Sequence, residues 1–397
     1  MGNHGGAKST SEGSHRDTHS GETSGQGRRV HEVHDRLTRI AKEVKDPETK
    51  HWKYDNLMHL INEEVLKESF YRLKKKTAYG VDRVSWEEYE ANLEENIGRL
   101  YRRMKSMGYW PQPVRRVYIP KGNGKKRPLG IPTIEDKVVQ YAFSVILTAI
   151  YEGIFVEESH GFRPKRGCHT ALKAVDKHMM DWKTKWVIDA DIKGFFDNVD
   201  HDVMIRMLEG KIRDRRFLEY IRRMLKSGVM EEGQVWKADK GTPQGGIISP
   251  ILANIYLHYG LDIWLKRIQA KEEKIGKVAH VRYADDFVIF VEREETAKRV
   301  KEALGRRLEK IGLELSEEKT KVIETGRQAY ERWRRGRGQK PGTYEFLGFT
   351  VYCATTRQGR YRPGMRTSKK RFSRSLKESR NGYRRTGIDQ SENYGGS

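Results

Sequence analysis

The sequence predicts an α+β fold, in which strands that end in acidic residues pack against amphipathic helices. Three observations support this prediction. Residues 281–291 have the pattern of a β-hairpin, and residues 186–191 have the pattern of a strand that runs into an aspartate. Residues 57–73 and 300–311 carry apolar side chains at three- and four-residue steps, which is the period of a helix that buries one face. Both periods in one chain indicate a mixed fold.

Two adjacent carboxylates lie in the middle of the hairpin segment. Asp285 and Asp286 interrupt apolar, β-branched and aromatic residues, a pattern typical of a hairpin whose turn carries the acids. Residues 287–291 are all hydrophobic, so we expect the second strand to be buried on both faces. Neighbouring aspartates repel each other unless a cation neutralises them, and carboxylate oxygens suit Mg²⁺. For the pair taken alone, an ordinary Asp-Asp turn is the alternative.

A second strand supplies a further carboxylate. Residues 186–190 are mostly apolar and lead into Asp191. We expect this strand-end aspartate to be the third ligand that the hairpin acids need, because two-metal phosphoryl transfer uses carboxylates from different strands. Asp197 and Asp200 are interpreted as a turn residue and a helix cap.

Two glycine-containing segments complete the pattern. Residues 241–246 form a loop whose glycines allow close approach of the backbone to a ligand, and an apolar helix is predicted to follow over 251–265. Residues 121–128 form a basic turn between two short strands. That turn is interpreted either as a grip on a triphosphate or template backbone, or as a solvated surface turn.

The charge of the chain indicates a polyanionic partner. The 397 residues carry a formal net charge of +23 with a pI near 9.7, which favours nucleic acid over a membrane surface. The charge is concentrated in residues 326–397, which hold 18 Lys or Arg against 5 Asp or Glu. Within them, residues 332–337 mix arginines with a tryptophan, a composition suited to RNA phosphates and base stacking.

The remaining composition favours a reducing compartment and no membrane span. Cys168 and Cys353 are 185 residues apart, so neither a disulfide framework nor a zinc pair is expected. The longest apolar segment, residues 138–156, contains Gln140 and Glu152, which predicts a core helix. Residues 1–49, which begin with a Gly-, Ser-, Thr- and His-rich stretch, are predicted to be a disordered, low-complexity segment.

Six sequence blocks resemble the reverse transcriptases that bacterial group II introns encode, over roughly residues 57–355. They occur in that family's order: Arg127-Pro128-Leu129-Gly130-Ile131-Pro132, His160-Gly161-Phe162-Arg163-Pro164, Asp191-Ile192-Lys193-Gly194-Phe195-Phe196-Asp197, Thr242-Pro243-Gln244-Gly245-Gly246, Tyr283-Ala284-Asp285-Asp286 and Phe346-Leu347-Gly348-Phe349. The resemblance implies a right-hand polymerase with fingers and palm, an antiparallel palm sheet backed by helices, and a bacterial, cytoplasmic location. It also implies RNA-directed DNA synthesis with two Mg²⁺ ions, for which Mn²⁺ can substitute. The implied partners are an RNA template (by expectation intron RNA), a DNA or RNA primer, and dNTP substrates.

The resemblance also implies roles for individual residues around the acids. Asp191, Asp285 and Asp286 would be the metal-binding triad, and the carbonyl of Ile192 would assist them. Lys319 would be the general acid that protonates the pyrophosphate.

A second group of residues is implied to bind the incoming nucleotide. Phe196, five residues after the first aspartate, would be the gate whose ring excludes a ribose 2′-hydroxyl; plain core packing is the alternative for this ring. Gln244 would lie against the nucleotide. Lys121 and Arg127 would contact its phosphates from the fingers.

The C-terminal part departs from the family pattern. Family members usually continue after the Phe-Leu-Gly block into a helical thumb, whereas about 40 residues follow residue 355 here. We therefore predict a helical extension and the start of the fingers over residues 50–110, a fingers–palm domain over 111–355, and a basic tail with a truncated or rudimentary thumb over 356–397.

Two other functions stay open at this stage. One is a maturase-like splicing chaperone that only binds RNA, and the other is a domesticated, CRISPR-associated or defence-associated reverse transcriptase. The three acids favour an enzyme, because RNA binding alone has no use for clustered carboxylates. The loop at 242–246 favours the intron branch. The sequence predicts neither the priming mode nor the oligomeric state.

Overall fold

A computed structural model describes residues 20–120, 126–236, 239–242 and 245–368; for residues 20–29 and for Arg127 it describes the main chain alone. The structure is a mixed α+β fold with largely antiparallel sheets, as the sequence predicts. Within these residues no helix is long and apolar enough to cross a membrane.

The helices and strands follow one another irregularly along the chain. The first half contains α1 (Ser20–Glu43), α2 (Glu63–Tyr71), α3 (Trp86–Ala91), α4 (Leu93–Lys105), β1 (Val114–Pro120), β2 (Lys126–Ile131), α5 (Ile134–Tyr151), α6 (Cys168–Met180) and β3 (Trp186–Ala190). The second half contains α7 (Phe195–Asn198), α8 (His201–Glu209), α9 (Arg215–Leu225), β4 (Val229–Glu231), β5 (Gln234–Trp236), α10 (Ser249–Leu257), α11 (Ile263–Gln269), α12 (Glu272–Ile275), β6 (Val278–Tyr283), β7 (Asp286–Val291), α13 (Glu294–Glu309), β8 (Lys321–Glu324), α14 (Gly326–Arg334), β9 (Tyr344–Phe346), β10 (Phe349–Thr355) and β11 (Tyr361–Thr367).

A central antiparallel sheet carries the acidic segments. Its strand order is β6-β7-β3-β8. Both faces are covered by helices: Ile188 and Ile289 face the hydrophobic cluster that includes α13, whereas Val187 and Val288 face the cluster that includes α6. Successive side chains of a strand point to opposite faces, so a strand covered on both sides needs apolar residues without alternation. This burial of β7 confirms the prediction for the second hairpin strand.

Two smaller sheets flank the central one. In the sheet β2-β1-β4-β5, the strands β1 and β2 form an antiparallel pair on either side of the basic turn, and β4 joins β1 in parallel. The sheet β11-β10-β9 is antiparallel throughout, and the chain turns at Gly348 between β9 and β10.

The apolar segment predicted as a core helix is α5. Its residues Val138, Phe143, Leu147 and Ile150 are fully buried, and Thr133 caps its first turn by accepting a hydrogen bond from the amide of Asp136. The predicted cap of Asp200 is also confirmed, since its side chain accepts from the amide of Val203 at the start of α8.

The prediction of disorder over residues 1–49 is wrong for Ser20–Glu43, which form α1. Its second half buries Val33, Leu37 and Ile40, spaced four and three residues apart, so that one face of the helix is apolar. Residues 1–19 lie outside the described residues.

Two further expectations need correction. The sheet does not end at residue 355, because β11 lies within the predicted tail and pairs with β10 over its full length. The apolar helix predicted over residues 251–265 is interrupted, since His258–Asp262 form a π-helical turn between α10 and α11.

Candidate active site

The register of the central sheet brings the predicted acids together. β3 and β7 are antiparallel neighbours in which Ala190 pairs with Phe287. The next residue along β3 is Asp191 and the preceding one on β7 is Asp286, so the two aspartates lie side by side at the same end of the sheet. Strands far apart in sequence thus deliver carboxylates to one edge.

A two-residue turn presents the hairpin acids. Tyr283 pairs with Asp286, which leaves Ala284 and Asp285 as the central residues. Ala284 adopts φ = +56°, a left-handed conformation that turns of this kind normally assign to glycine. Gly161 lies directly against this turn, because a Cβ placed on it would come within 2.4 Å of the Ala284 nitrogen. The predicted acid-bearing hairpin is therefore confirmed.

The carboxylates at this edge interact electrostatically. Part of Asp286 is exposed to solvent. The protein nevertheless surrounds much of its carboxylate, and this burial, together with the negative charges of Asp285 and Asp191, raises its pKa to about 6. Asp189, two residues before Asp191 on β3, is similar. Burial and the charge of Asp286 raise its pKa to about 6, and the positive charge of Lys321 opposes this shift. The carboxylates at this edge of the sheet therefore repel one another, which favours the protonated form of Asp189 and Asp286.

Lys319 contacts the first of these acids. Its Nζ lies 2.7 Å from Oδ2 of Asp191. The segment that carries Lys319 is fixed to the same strand end, since the Ser316 amide donates to the Asp191 carbonyl at 2.8 Å and the Lys193 amide donates to the Glu314 carbonyl at 2.9 Å. In the same segment Leu315 forms an isolated antiparallel bridge to Ile192.

A cleft of about 410 Å³ lies between α7, the loop at Gly241 and the sheet β2-β1-β4-β5. Phe196 and Asp197 of α7 form one wall, and Arg116 and Trp236 from the sheet β2-β1-β4-β5 form another. The three acids are not among its lining residues; the cleft is joined to them through the short segment from residue 191 to residue 196. Nε of Arg116 is buried without a hydrogen-bond partner in the described part of the chain.

The glycine loop borders this cleft. The amide of Thr242 donates to the carbonyl of Phe196 at 2.7 Å, and Gly241 lines the cleft next to it. Gly245 adopts φ = +113° and packs on the backbone of Gly130, where a Cβ would come within 2.7 Å of the carbonyl oxygen. The described residues of the loop thus contact both α7 and β2 through their backbone, and the predicted close approach to a ligand stays a prediction.

Three predicted nucleotide contacts cannot be placed. Lys121 and Gln244 lie outside the described residues, as does the side chain of Arg127, whose main chain pairs with Ile119 in the β1–β2 hairpin. The basic run of Lys369, Lys370 and Arg371 in the C-terminal part also lies outside the described residues.

The donor atoms fit a divalent cation by type but do not form a closed coordination cluster. Carboxylate oxygens from Asp191, Asp285 and Asp286 are the hard ligands that Mg²⁺ prefers, and the raised pKa of Asp286 reflects a charge that a cation would relieve. In the residues that the structure describes, however, no group of three His, Cys, Asp or Glu side chains is arranged to hold a metal ion. Instead, the Lys319 ammonium neutralises Asp191.

Several residues at this site were missed in the sequence. Gln140, on α5, accepts a hydrogen bond from the Ile247 amide at 2.8 Å and so holds the end of the glycine loop. Arg282 is fully buried and contacts the hairpin turn. A charged residue in the buried strand Val278–Tyr283 was the available signal for it.

Comparison with known proteins gives the family. The model of the family described as reverse transcriptase (RNA-dependent DNA polymerase) matches residues 119–351, more than half of the chain. The chain belongs to the reverse transcriptase family. The matched region includes the central sheet, the glycine loop and all three acids.

Individual relatives confirm the resemblance to group II intron proteins. Group II intron-encoded protein LtrA of Lactococcus lactis subsp. cremoris is 38% identical over 294 aligned residues, covering 59% of this chain and 49% of that protein. Protein YkfC of Escherichia coli (strain K12) is 35% identical over 272 aligned residues, covering 61% of this chain and 71% of YkfC. Nuclear intron maturase 1, mitochondrial, of Arabidopsis thaliana is 33% identical over 95 residues, covering 24% of this chain and 13% of that protein. The chain spans about half the length of the Lactococcus relative.

Proposed function

We propose that this protein is an RNA-directed DNA polymerase of the group II intron type, which extends a primer from dNTPs on an RNA template. The observation that carries the proposal is the convergence of Asp191 with Asp285 and Asp286 at one edge of the central sheet. In this proposal the central sheet is the palm, and the β1–β2 hairpin belongs to the fingers.

The acids at the sheet edge would hold divalent metal. Asp191, Asp285 and Asp286 offer the carboxylates, with the Ile192 carbonyl beside them. Two bound Mg²⁺ ions would stabilise both the attacking and the leaving oxygen of the phosphoryl transfer. The crowding that raises the pKa of Asp286 supports this assignment, since a cation would offset the repulsion.

The cleft would take the incoming nucleotide. Its volume, about 410 Å³, lies in the range of small-molecule sites. Phe196 would meet the sugar, with the loop from Gly241 holding the backbone beside it. Arg116 supports phosphate binding, because its buried Nε has no protein partner in the described part of the chain. Lys121, Arg127 and Gln244 remain proposed contacts on the same nucleotide.

The reaction balances as a nucleotidyl transfer. The primer 3′ oxygen forms a bond to the α-phosphorus, the bond from that phosphorus to the pyrophosphate oxygen breaks, and the 3′-hydroxyl proton passes to water. Lys319 would deliver a proton to the departing pyrophosphate. Its exposed ammonium beside Asp191 is positioned at the site edge, where it can move from the carboxylate to a phosphate.

Intron RNA is the proposed template. The names of two relatives, a group II intron-encoded protein and an intron maturase, support this source and also a role in assisting splicing. A protein that only binds RNA is disfavoured, because three mutually repelling carboxylates have no purpose in contacting phosphates.

Primer extension by a double variant tests the proposal. Wild-type protein should extend a DNA primer on an RNA template when Mg²⁺ and dNTPs are present. Asp285→Ala combined with Asp286→Ala should abolish extension while circular dichroism and template–primer affinity stay close to wild type. Glu317→Ala combined with Glu318→Ala, which removes two neighbouring surface acids, serves as the matched control and should extend normally. Robust extension by the double aspartate variant would overturn the assignment.

A further inference from the structure

Arg282 forms the centre of a fully buried polar network behind the hairpin turn. Its Nε and Nη2 donate to the two carboxylate oxygens of Asp262 at 2.8 Å and 2.6 Å. Nη2 also donates to Oγ of Ser159 at 2.8 Å, and Nη1 donates to Oδ1 of Asn254 at 3.0 Å. Arg282 and Asp262 are each 0% exposed. A guanidinium is well suited to this geometry because its donors form a rigid fork.

The remaining donor of this guanidinium forms a hydrogen bond to the hairpin turn. Nη1 of Arg282 donates to the carbonyl oxygen of Ala284 at 2.9 Å. That carbonyl belongs to the peptide that joins Ala284 to Asp285, so the bond fixes the plane of the peptide from which the first hairpin acid projects.

The turn needs such a restraint. Ala284 has a side chain and nevertheless adopts φ = +56°, a region that alanine disfavours. A strained backbone conformation persists only when its surroundings hold it there. The same guanidinium binds Asn254, whose Nδ2 donates to the Gly161 carbonyl at 2.8 Å, and Gly161 packs on the Ala284 nitrogen. The turn is therefore held from two sides by one connected network.

The anchor of the network comes from the π-helical turn. Asp262 is the last residue of His258–Asp262, where the helix inserts an extra residue between α10 and α11. Burial alone would raise the pKa of this carboxyl, but the Arg282 charge lowers it well below its usual range, so Asp262 stays ionised. The nearby His258 is neutral at pH 7, since burial lowers its pKa to about 4. The buried cation thus has one defined counter-ion.

We propose that Arg282, anchored by Asp262, is a positioning residue that fixes the Ala284–Asp285 peptide and thereby aims the hairpin acids at the reaction centre. This inference rests on the proposed polymerase function, which it deepens. Arg282 itself lies behind the turn and would contact neither the nucleotide nor the template.

Arg282→Lys separates charge from geometry. Lysine keeps the positive charge beside Asp262, but its single ammonium cannot hold both carboxylate oxygens and the Ala284 carbonyl in the same fork. We expect the single-turnover extension rate to fall at least about 10-fold, because small misplacements of reacting groups cost up to about 100-fold. Template–primer affinity and the dNTP concentration for half-maximal rate should stay within about twofold, since neither depends on this peptide plane.

Arg223→Lys is the matched control. The Arg223 side chain is also largely buried, pairs with Glu219 at 3.2 Å, and donates to the backbone carbonyls of Met107 and Tyr109, and none of these partners belongs to the Arg282 network. Its replacement should cost thermal stability without changing the extension rate of the folded protein. An equal loss of rate in both variants, or no loss in Arg282→Lys, would overturn the positioning role.

Hydrogen exchange gives a readout that does not depend on polymerase activity. In Arg282→Lys, amides of the peptide that spans residues 281–288 should exchange faster, while those of α5 should not change. A wild-type protein that fails to extend primers would refute the polymerase proposal, yet the exchange comparison would still decide whether Arg282 restrains the turn. If the lysine variant does not fold, Arg282→Met combined with Asp262→Leu replaces the pair by apolar side chains of similar size. Unchanged exchange at the turn in the folded variant would reject the inference.

Discussion

The ammonium of Lys319 lies 2.7 Å from Oδ2 of Asp191, and so it occupies the position in which a cation would neutralise this carboxylate. Both side chains are accessible, with 68% and 37% of their surface exposed, respectively. Ion pairs of this kind stabilise proteins by at most about 1 kcal/mol. The contact is therefore easily broken, which leaves Lys319, the proposed proton donor, free to turn from Asp191 to a phosphate.

Lys319→Ala should reduce the extension rate by roughly 100-fold, the lower range for loss of a general acid. Thermal stability should hardly change, because the pair is exposed. Lys193→Ala is the control, since Lys193 forms an equally exposed pair with Glu314 at 3.1 Å and makes no contact with the acids. Rapid-quench extension assays measure both rates. Equal rates in the two variants would show that Lys319 is not the general acid and only forms a surface ion pair.

Asp286→Asn should increase stability while it abolishes extension. The charges of Asp285 and Asp191 act on the Asp286 carboxylate in the folded protein, and removing one charge relieves this repulsion without changing the size of the side chain. Denaturant titration without metal measures the first effect, and primer extension the second. Asp197→Asn, which changes a cleft acid on the adjacent helix, is the comparison for charge removal as such. Lower stability of Asp286→Asn would show that the carboxylates do not repel one another appreciably.

Phe196→Ala should admit ribonucleotides while dNTP incorporation continues. The ring is half-buried, packs edge-on against Phe195 at 5.1 Å, and lines the cleft. Without it, the space next to the sugar would accommodate a 2′-hydroxyl. Single-nucleotide incorporation with matched dNTP and rNTP measures discrimination. Phe195→Leu is the control, because Phe195 is buried in the core beside Phe196 and is not among the cleft-lining residues. If Phe196→Ala discriminates between dNTP and rNTP as well as wild type does, the Phe196 ring only packs in the core and is not the gate.

The pH dependence of stability should carry a contribution from Asp136. This buried carboxyl accepts hydrogen bonds from the Tyr109 hydroxyl and the Gln112 amide, but burial still raises its pKa to about 6. Between pH 4 and 6 the folded protein keeps a proton that the unfolded chain has lost, so the free energy of unfolding falls as pH rises through this window. The fall amounts to at most roughly 3 kcal/mol, at about 1.4 kcal/mol per pKa unit.

Asp136→Asn isolates that contribution. Other groups also titrate in this window, including His160, whose pKa burial lowers to about 4 and whose effect has the opposite sign. The difference between variant and wild type cancels them. Asparagine cannot accept from both partners, which adds a constant offset, but it does not titrate. Urea unfolding at several pH values should therefore show the variant gaining stability relative to wild type from pH 4 to 6, and a flat difference would refute the shift.

Local patterns in the sequence were sufficient to predict the acid-bearing strands. Each acid follows or interrupts a short apolar run, and antiparallel pairing then brings Asp191 beside Asp286 without further information. Arg282 and Asp262 illustrate what such patterns do not contain. Their bond depends on an irregular π-helical turn that places one aspartate behind the sheet, and no residue period indicates that turn.

Composition misleads at the N-terminus for a related reason. Gly, Ser and His dominate the first residues, and this composition predicts disorder for the whole segment to residue 49. The apolar positions Val33, Leu37 and Ile40 are few, and α1 is stable because α5 and α2 provide the surface on which they pack. Tertiary contacts of this kind are not visible in a local window.

Four arginines at and after the end of α14 should bind nucleic acid through phosphates. Arg332, Arg334, Arg335 and Arg337 are exposed, and they flank Trp333. Replacing all four by glutamine should weaken RNA and DNA binding alike, because phosphate contacts carry little sequence information. It should also flatten the dependence of affinity on salt, by about 0.9 in log–log slope for each phosphate that the variant no longer neutralises. Fluorescence anisotropy between roughly 50 and 200 mM salt, the range over which phosphate binding weakens, measures both effects.

The control variant replaces four exposed basic residues by glutamine: Lys271, Lys274, Arg299 and Arg306. These replacements remove the same charge from the α12–α13 surface. Because the two variants have the same net charge, the general electrostatic attraction to nucleic acid is the same for both. A difference in affinity between them therefore reports local contacts. If both variants show the same salt dependence, the arginines after α14 act only through overall charge and do not form the nucleic-acid surface.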